Sequence, residues 1–179
     1  GAAWQRCIVH LERNVAGWFP KKEDKAVATA AMQAAFAERD PRLVRAAYRQ
    51  AAERIAQLKA RAGELLEDAE ADALAYLDFP YEHHVRLRTN NVQERANEEI
   101  KRRTKVVGVF PSAESMMRLV GSVLIDVNEG WLGASFIDAA SLKDVRRSER
   151  GEEPIPEDVV ELARIRVAAA IEEKLGKVA

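Results

Sequence analysis

Apolar residues recur every three or four positions along most of this chain, a spacing that favours helices over strands. The two clearest stripes are Ala28, Ala31, Met32, Ala35 and Phe36, and then Leu43, Val44, Ala47, Ala51, Ile55 and Leu58. Alanine, the strongest helix former, supplies 31 of the 179 residues. We therefore predict a mainly α-helical fold, with strand confined to the first dozen residues if any is present.

Prolines, glycines and capping residues divide these stripes into separate helices. We predict helices over residues 10–19, 24–39, 41–61, 64–77, 91–105, 112–129 and 157–176. Gly63 is expected to break or kink the chain after the third helix, and Gly130 to follow the sixth. The sixth helix is expected to be buried along a broad apolar face formed by Met116, Leu119, Val120, Val123, Leu124 and Val127. A short strand over residues 2–9 and a charged linker over residues 143–156 complete the prediction.

The overall charge is close to neutral, with 28 basic and 29 acidic residues. This balance excludes a uniformly basic nucleic-acid protein but allows a local basic cluster. The single cysteine, Cys7, excludes an intrachain disulfide framework, and no apolar run reaches the length of a membrane span. No secretory signal is visible, so a cytoplasmic protein is expected. Because the chain begins with Gly1, it is interpreted as the interior of a longer protein, with a trimmed start as the alternative.

The basic residues cluster between positions 86 and 105, where seven bases meet three acids. The seven bases are Arg86, Arg88, Arg95, Lys101, Arg102, Arg103 and Lys105. Such a cluster suits contacts with DNA phosphates, which need charge and reach. The alternative is a solvated helix end, where cations complement the helix dipole.

A carboxylate lies near the start of the same predicted helix. Asn90, Glu94, Asn97 and Lys101 are spaced so that they share one face, opposite the apolar side of the helix. Glu94 could therefore offer oxygen ligands to a hard cation such as Mg²⁺. Spacing alone favours the alternative, a solvated surface with Glu–Lys pairing.

Cys7 and His10 have the spacing of half a zinc site, which His83 and His84 could complete. Structural zinc usually takes two or more thiolates, however, and this chain has one. A packing role at the base of the first helix is therefore favoured for Cys7 and His10.

Several strings of the sequence together resemble the Mutator-type bacterial transposases of the IS256 family. Residues 4–15 read WQRCIVHLERNV and resemble that family's Cys-x-x-His segment. Residues 87–103 read LRTNNVQERANEEIKRR and are similar to the segment that holds its catalytic glutamate. The resemblance continues through residues 106–112 and 118–121 and covers about residues 1–137.

This resemblance implies part of an RNase H-like catalytic core with an Asp-Asp-Glu triad and a helical insertion. Residues 1–15 would end the core, and residues 16–80 would form the insertion. Residues 81–137 would hold the glutamate helix and the helix after it. Residues 138–179 would be a linker with a final helix. Glu94 would be the triad glutamate and a ligand of Mg²⁺ or Mn²⁺. Cys7, His10, Asn91 and Asn97 would be family-motif residues. Both aspartates would lie upstream of Gly1.

The function implied is cutting and strand transfer of transposon-end DNA by a homo-oligomer that is associated with the nucleoid when bound. This chain alone would hold no metal tightly and would be nearly inactive, because two of the three carboxylates are missing. Two alternatives stay open: a freestanding helical DNA-binding or regulatory module without catalysis, and a structural bundle whose acidic residues 64–78 pair with the basic residues 86–105.

Overall fold

The described part of the chain is a set of helices joined by short connections. The computed structural model describes residues 4–132 and 154–178, and no strand occurs in those two ranges. The prediction of a mainly helical fold is confirmed. The helices are α1 (Ile8–Gly17), α2 (Lys22–Ala37), α3 (Pro41–Leu58), α4 (Ala60–Ala73), a 3-10 helix (Ala75–Asp78), α5 (Tyr81–Leu87), α6 (Asn91–Val107), α7 (Ala113–Leu132) and α8 (Glu157–Gly176).

The contacts divide the chain into two compact units. The bundle unit comprises residues 1–89 and 144–179, and the hairpin unit comprises residues 90–143. The final helix, α8, therefore belongs with the first half of the chain. The family resemblance implies a division into four consecutive segments of the sequence. The two units are defined by contacts in space and do not test that division, which stays a prediction.

The core of the bundle unit lies where α2, α3 and α8 pack together, with α4 against α3. Many of its buried residues are alanines, such as Ala28, Ala31 and Ala51, each fully inaccessible to solvent. Small side chains let neighbouring helices approach closely, so the alanine-rich stripes become the contact faces. Tyr48 is buried between α3 and α4, where its hydroxyl donates to the Leu66 carbonyl at 2.7 Å.

The segment before α1 forms no strand over residues 4–7. Its polar groups bond instead to the end of α4 and the 3-10 helix. The Arg6 amide donates to the Asp72 carbonyl at 2.8 Å, and the Gln5 side chain both donates to the Ala73 carbonyl and accepts from the Tyr76 amide. These bonds replace a sheet partner. Residues 2 and 3 of the expected strand lie outside the described residues.

The break between α3 and α4 falls at Lys59, whose backbone is extended, and not at Gly63 as predicted. Gly63 lies inside α4 and faces α3. A Cβ atom at this position would lie 2.9 Å from the Cα of Ala56, closer than real Cβ atoms come to backbone. Gly63 is thus a point of close helix approach.

The hairpin unit pairs α6 with α7 through a tight turn. Gly108 ends α6 with a φ of 75°, which favours glycine because larger residues rarely adopt it. The predicted burial of the α7 apolar face is wrong for Met116 and Leu124, which are exposed, and only Val123 is buried. Within the hairpin unit α6 is the helix that packs on α7, and one partner helix covers only part of a broad face.

Two other sequence-based boundaries can be compared with the structure. Gly130 lies within α7 and does not end it, whereas α8 ends at Gly176 as expected. Most of the predicted linker, residues 143–153, lies outside the described residues. The short helix α5 was missed, because seven residues after Pro80 are too few to show a helical stripe.

Candidate catalytic carboxylate and nucleic-acid interface

Helix α6 carries the predicted carboxylate and five of the seven predicted DNA-binding residues. It begins at Asn91, and the Glu94 amide donates to the Asn90 carbonyl at 3.0 Å, which starts the helical bonding pattern. The Asn90 side chain itself makes no capping bond. Ala96 is the buried residue of the helix, and α6 packs against α7.

Glu94 lies on the side of α6 away from Ala96. At about 100° per residue, Glu94, Lys101 and Lys105 fall within a narrow sector of the helix surface. Glu94 lies in the first turn, where a carboxylate is favoured by the helix dipole. The two motif asparagines, Asn91 and Asn97, are exposed on the same helix.

Three of the basic side chains are exposed and carry no ion pair with any described carboxylate. These are Arg95, Lys101 and Lys105. Their charges are available to a polyanion without the loss of an existing contact. They follow the polar side of α6 over three turns.

Two further basic side chains, Arg102 and Arg103, are both bound to Glu99. Arg102 donates from Nε to Oε2 at 2.7 Å and from Nη2 to Oε1 at 2.6 Å, and Arg103 donates from Nε to Oε1 at 2.9 Å. The hydrogen bonds from both guanidinium groups lower the pKa of Glu99 to about 2. Glu99 therefore stays ionised, and the basic run is partly neutralised from within the helix.

The remaining two predicted DNA-binding residues, Arg86 and Arg88, belong to the bundle unit at the end of α5. Arg86 is exposed, but Arg88 is half-buried and its Nη1 donates to the Phe36 carbonyl at 2.7 Å. The Arg88 carbonyl accepts from the Ile8 amide at 2.9 Å. Arg88 thus ties the ends of α2 and α5 to the start of α1, a structural role that no local sequence pattern signals.

Cys7 and His10 lie at the start of α1, in the bundle unit. Cys7 is half-buried just before the helix, and its carbonyl accepts from the Leu11 amide at 3.0 Å. His10 is exposed. This bond involves the backbone alone, and both residues stay family-motif predictions.

The paired histidines of α5 are both buried. The His84 ring nitrogen Nε2 lies 2.7 Å from the Phe79 carbonyl, and the rings of Tyr76 and Tyr81 pack edge-on against it. Burial lowers the pKa of His84 below its usual 6.5. A neutral ring with one nitrogen bonded to a carbonyl is typical of a core histidine.

Comparison with known proteins decides the family. A sequence model described as the transposases of the Mutator family matches residues 1–134. The chain belongs to this family. As a Mutator-family chain it resembles the transposase for insertion sequence element IS406 of Burkholderia multivorans, which is 35% identical over 133 residues, 72% of this chain and 33% of the relative.

Two further relatives give the same picture. The transposase for IS1081 of Mycobacterium tuberculosis is 36% identical over 131 residues, 73% of this chain and 31% of that protein. The transposase for IS256 in transposon Tn4001 of Staphylococcus aureus is 37% identical over 135 residues, 74% of this chain and 34% of that protein. This Mutator-family chain therefore spans about a third of the length of these relatives. No solved structure matches it.

The family match ends before α8, although α8 packs into the core of the bundle unit. No helix among the described residues of this Mutator-family chain is long and apolar enough to span a membrane.

Proposed function

We propose that this chain is the part of a Mutator-family transposase that binds transposon-end DNA and supplies the third carboxylate of an Asp-Asp-Glu active site. Glu94 is that carboxylate, and the basic face of α6 contacts the DNA backbone beside it. The two aspartates come from a part of the protein that this chain does not contain. The complete enzyme acts as a homo-oligomer, associated with the nucleoid while it is bound to DNA.

One observation carries the proposal: Glu94 shares a sector of α6 with Lys101 and Lys105, which carry no ion pair among the described residues. A carboxylate that binds a metal must lie beside the phosphate that is cut, and that phosphate needs neighbouring cations to hold the DNA backbone. One helix face supplies both kinds of group. The family resemblance assigns the same glutamate the catalytic role.

The donor set fits Mg²⁺ or Mn²⁺ as part of a site. Carboxylate oxygens are the hard ligands that these ions prefer. A single half-buried carboxylate gives one anchor, however, so Glu94 would contribute to a site that other residues complete. Bound metal would supply charge that activates the attacking oxygen and stabilises the leaving oxygen. The chain's own groups would hold the DNA backbone at Lys101 and Lys105 and place the Glu94 carboxylate.

DNA binding is tested by a salt titration of a fluorescently labelled duplex of arbitrary sequence. If about four phosphates are contacted, log K falls with log salt at a slope near −3.6. Replacing Lys101 and Lys105 by Gln should flatten that slope by about 1.8, at roughly 0.9 per contact. The matched control replaces Lys21 and Lys22, two exposed lysines of the bundle unit, and should leave the slope unchanged. Equal effects of the two pairs would refute a DNA interface on α6.

The catalytic role is tested in a longer chain that joins the upstream part of the IS256 transposase of Staphylococcus aureus to residues 1–179. Excision of a plasmid-borne element is measured. Glu94→Gln should abolish excision, whereas Glu98→Gln, the same change one turn along the helix, should retain it. Glu94→Gln should leave DNA binding by the 179-residue chain unchanged or stronger, because it removes a negative charge and no donor. Excision that survives Glu94→Gln would rule out the catalytic assignment.

A further inference from the structure

Glu99 and its two arginines form a compact charged cluster on α6 that the catalytic proposal does not use. Three hydrogen bonds between 2.6 and 2.9 Å join one carboxylate to both guanidinium groups. Arg102 contributes two of them in a fork, with one nitrogen on each carboxylate oxygen. Arg103 adds a third from the next position of the helix.

The cluster resembles an anion-binding site in which the bound anion is the carboxylate of Glu99, a residue of the same helix. A guanidinium fork fits a carboxylate and a phosphate equally well, because each offers two oxygens at a similar spacing. The Arg102 side chain is 60% exposed and the Arg103 side chain is 48% exposed. Ion pairs at such exposure are weak and are screened by salt, so another anion can displace the carboxylate.

The position of the cluster puts it within reach of the same DNA. At about 100° per residue, Arg102 lies next to Arg95 and close to Lys105 on the polar side of α6. Arg103 lies on the far side of Glu99, about 20° from the direction of Ala96 and roughly opposite Lys101 and Lys105. Glu99 therefore holds Arg102 beside the surface formed by Arg95, Lys101 and Lys105, and Arg103 away from it.

We propose that Glu99 occupies the place of a DNA phosphate in the free protein, and that Arg102 exchanges this carboxylate for a phosphate when α6 binds DNA. The proposal rests on the DNA-binding function proposed above and adds a regulatory element to it. The ion pair with Glu99 keeps Arg102 ordered and neutralised in the free protein. It also lowers the contribution of Arg102 to DNA affinity, because its two hydrogen bonds to Glu99 must be broken first.

Glu98 provides a matched control for Glu99. It is the preceding residue, it carries the same charge, it is exposed, and it makes no ion pair with a described residue. Glu98→Gln and Glu99→Gln therefore change the net charge of α6 equally. Only Glu99→Gln releases the two guanidinium groups.

The test is a double-mutant cycle on DNA affinity, measured with the 179-residue chain and a short duplex of arbitrary sequence at low salt. Arg102→Gln is made in the natural, Glu98→Gln and Glu99→Gln backgrounds. The loss of affinity caused by Arg102→Gln should be about fivefold larger in the Glu99→Gln background than in the natural one. In the Glu98→Gln background the loss should match the natural one.

The outcomes separate the two proposals. If Arg102→Gln causes the same loss in all three backgrounds while Lys101 and Lys105 still matter, the exchange is refuted and the DNA interface stands. If no version of the chain binds the duplex, the proposed function fails, and the exchange fails with it. The comparison is repeated with Glu99→Ala and Glu98→Ala, because alanine is the strongest helix former. Circular dichroism checks that α6 keeps its helicity in every variant.

Discussion

Gly63 shows how a single missing Cβ atom sets the distance between two helices. A Cβ atom at this position would lie 2.9 Å from the Cα of Ala56, so α3 and α4 would have to separate. We expect Gly63→Ala to destabilise the bundle unit by about 1–3 kcal/mol, the usual range for overpacking, despite the better helix propensity of alanine.

The control for this prediction is Gly17→Ala at the end of α1, where no atom lies within 4 Å of the added Cβ. That substitution should be neutral or slightly stabilising. Urea denaturation followed by circular dichroism gives both values. A Gly63→Ala protein as stable as the Gly17→Ala protein would mean that the two helices are not in close contact.

His84 should make the stability of the bundle unit depend on pH. Burial, the largest cause, lowers its pKa below 6.5 despite the opposing bond to the Phe79 carbonyl, and Arg88 and His83 lower it further while Glu82 raises it. The unfolded chain therefore binds a proton more readily than the folded one. Stability is fully present above pH 6.5 and is lost as the pH falls towards the folded pKa, by at most about 1.4 kcal/mol for each unit of difference.

Denaturation midpoints between pH 5 and pH 8 measure this effect. His84→Gln should reduce the slope of stability against pH, because the titrating group is removed. If His84→Gln keeps the natural slope, His84 does not control the pH dependence.

At the scale of elements, α8 is a structural part of the bundle unit. It packs against α2 and α3, and its Arg166 pairs with Glu38 at the end of α2. Two isoleucines on this helix differ in burial: Ile171 is 6% exposed and Ile165 is 56% exposed. Ile171→Ala should cost about 2–4 kcal/mol of unfolding free energy, and Ile165→Ala less than about 1 kcal/mol.

The same urea titration checks this pair of variants, which have identical chemistry and differ only in burial. Equal losses would show that α8 does not pack on the bundle in solution.

The comparison of α3, α7 and α8 shows which features the sequence could reveal. Asp40 precedes Pro41, the first residue of α3, and its side chain accepts a hydrogen bond from the Arg42 amide. This local capping signal marked the start of α3 correctly. Periodicity likewise located α7, but it identifies an apolar side without saying how many neighbours cover that side. Burial was therefore predicted where the hairpin leaves Met116 and Leu124 exposed.

The candidate site follows the same rule. Residue spacing was enough to place Glu94 and Lys101 on one face of α6, because both positions depend on a single helix. The role of Arg88 could not be predicted, since its bond reaches a carbonyl 52 residues away. The break at Lys59 was missed for a different reason: neither proline nor glycine occurs at that position.

At the scale of the whole molecule, the chain should bind DNA without cutting it. It spans about a third of the length of its relatives. The proposed function gives it one carboxylate, Glu94, of a site that needs three. One carboxylate binds Mg²⁺ only weakly, and phosphodiester cleavage at a two-metal site needs ligands from several elements.

We expect no strand transfer by the isolated 179-residue chain in Mg²⁺ or Mn²⁺, measured with end-labelled duplexes on denaturing gels. The chimera with the upstream part of the IS256 transposase, run on the same gels, should convert the labelled ends. Robust cleavage by the isolated chain that is lost on Glu94→Gln would mean that this chain holds a complete site, and that the assignment of its missing ligands to the upstream part is wrong.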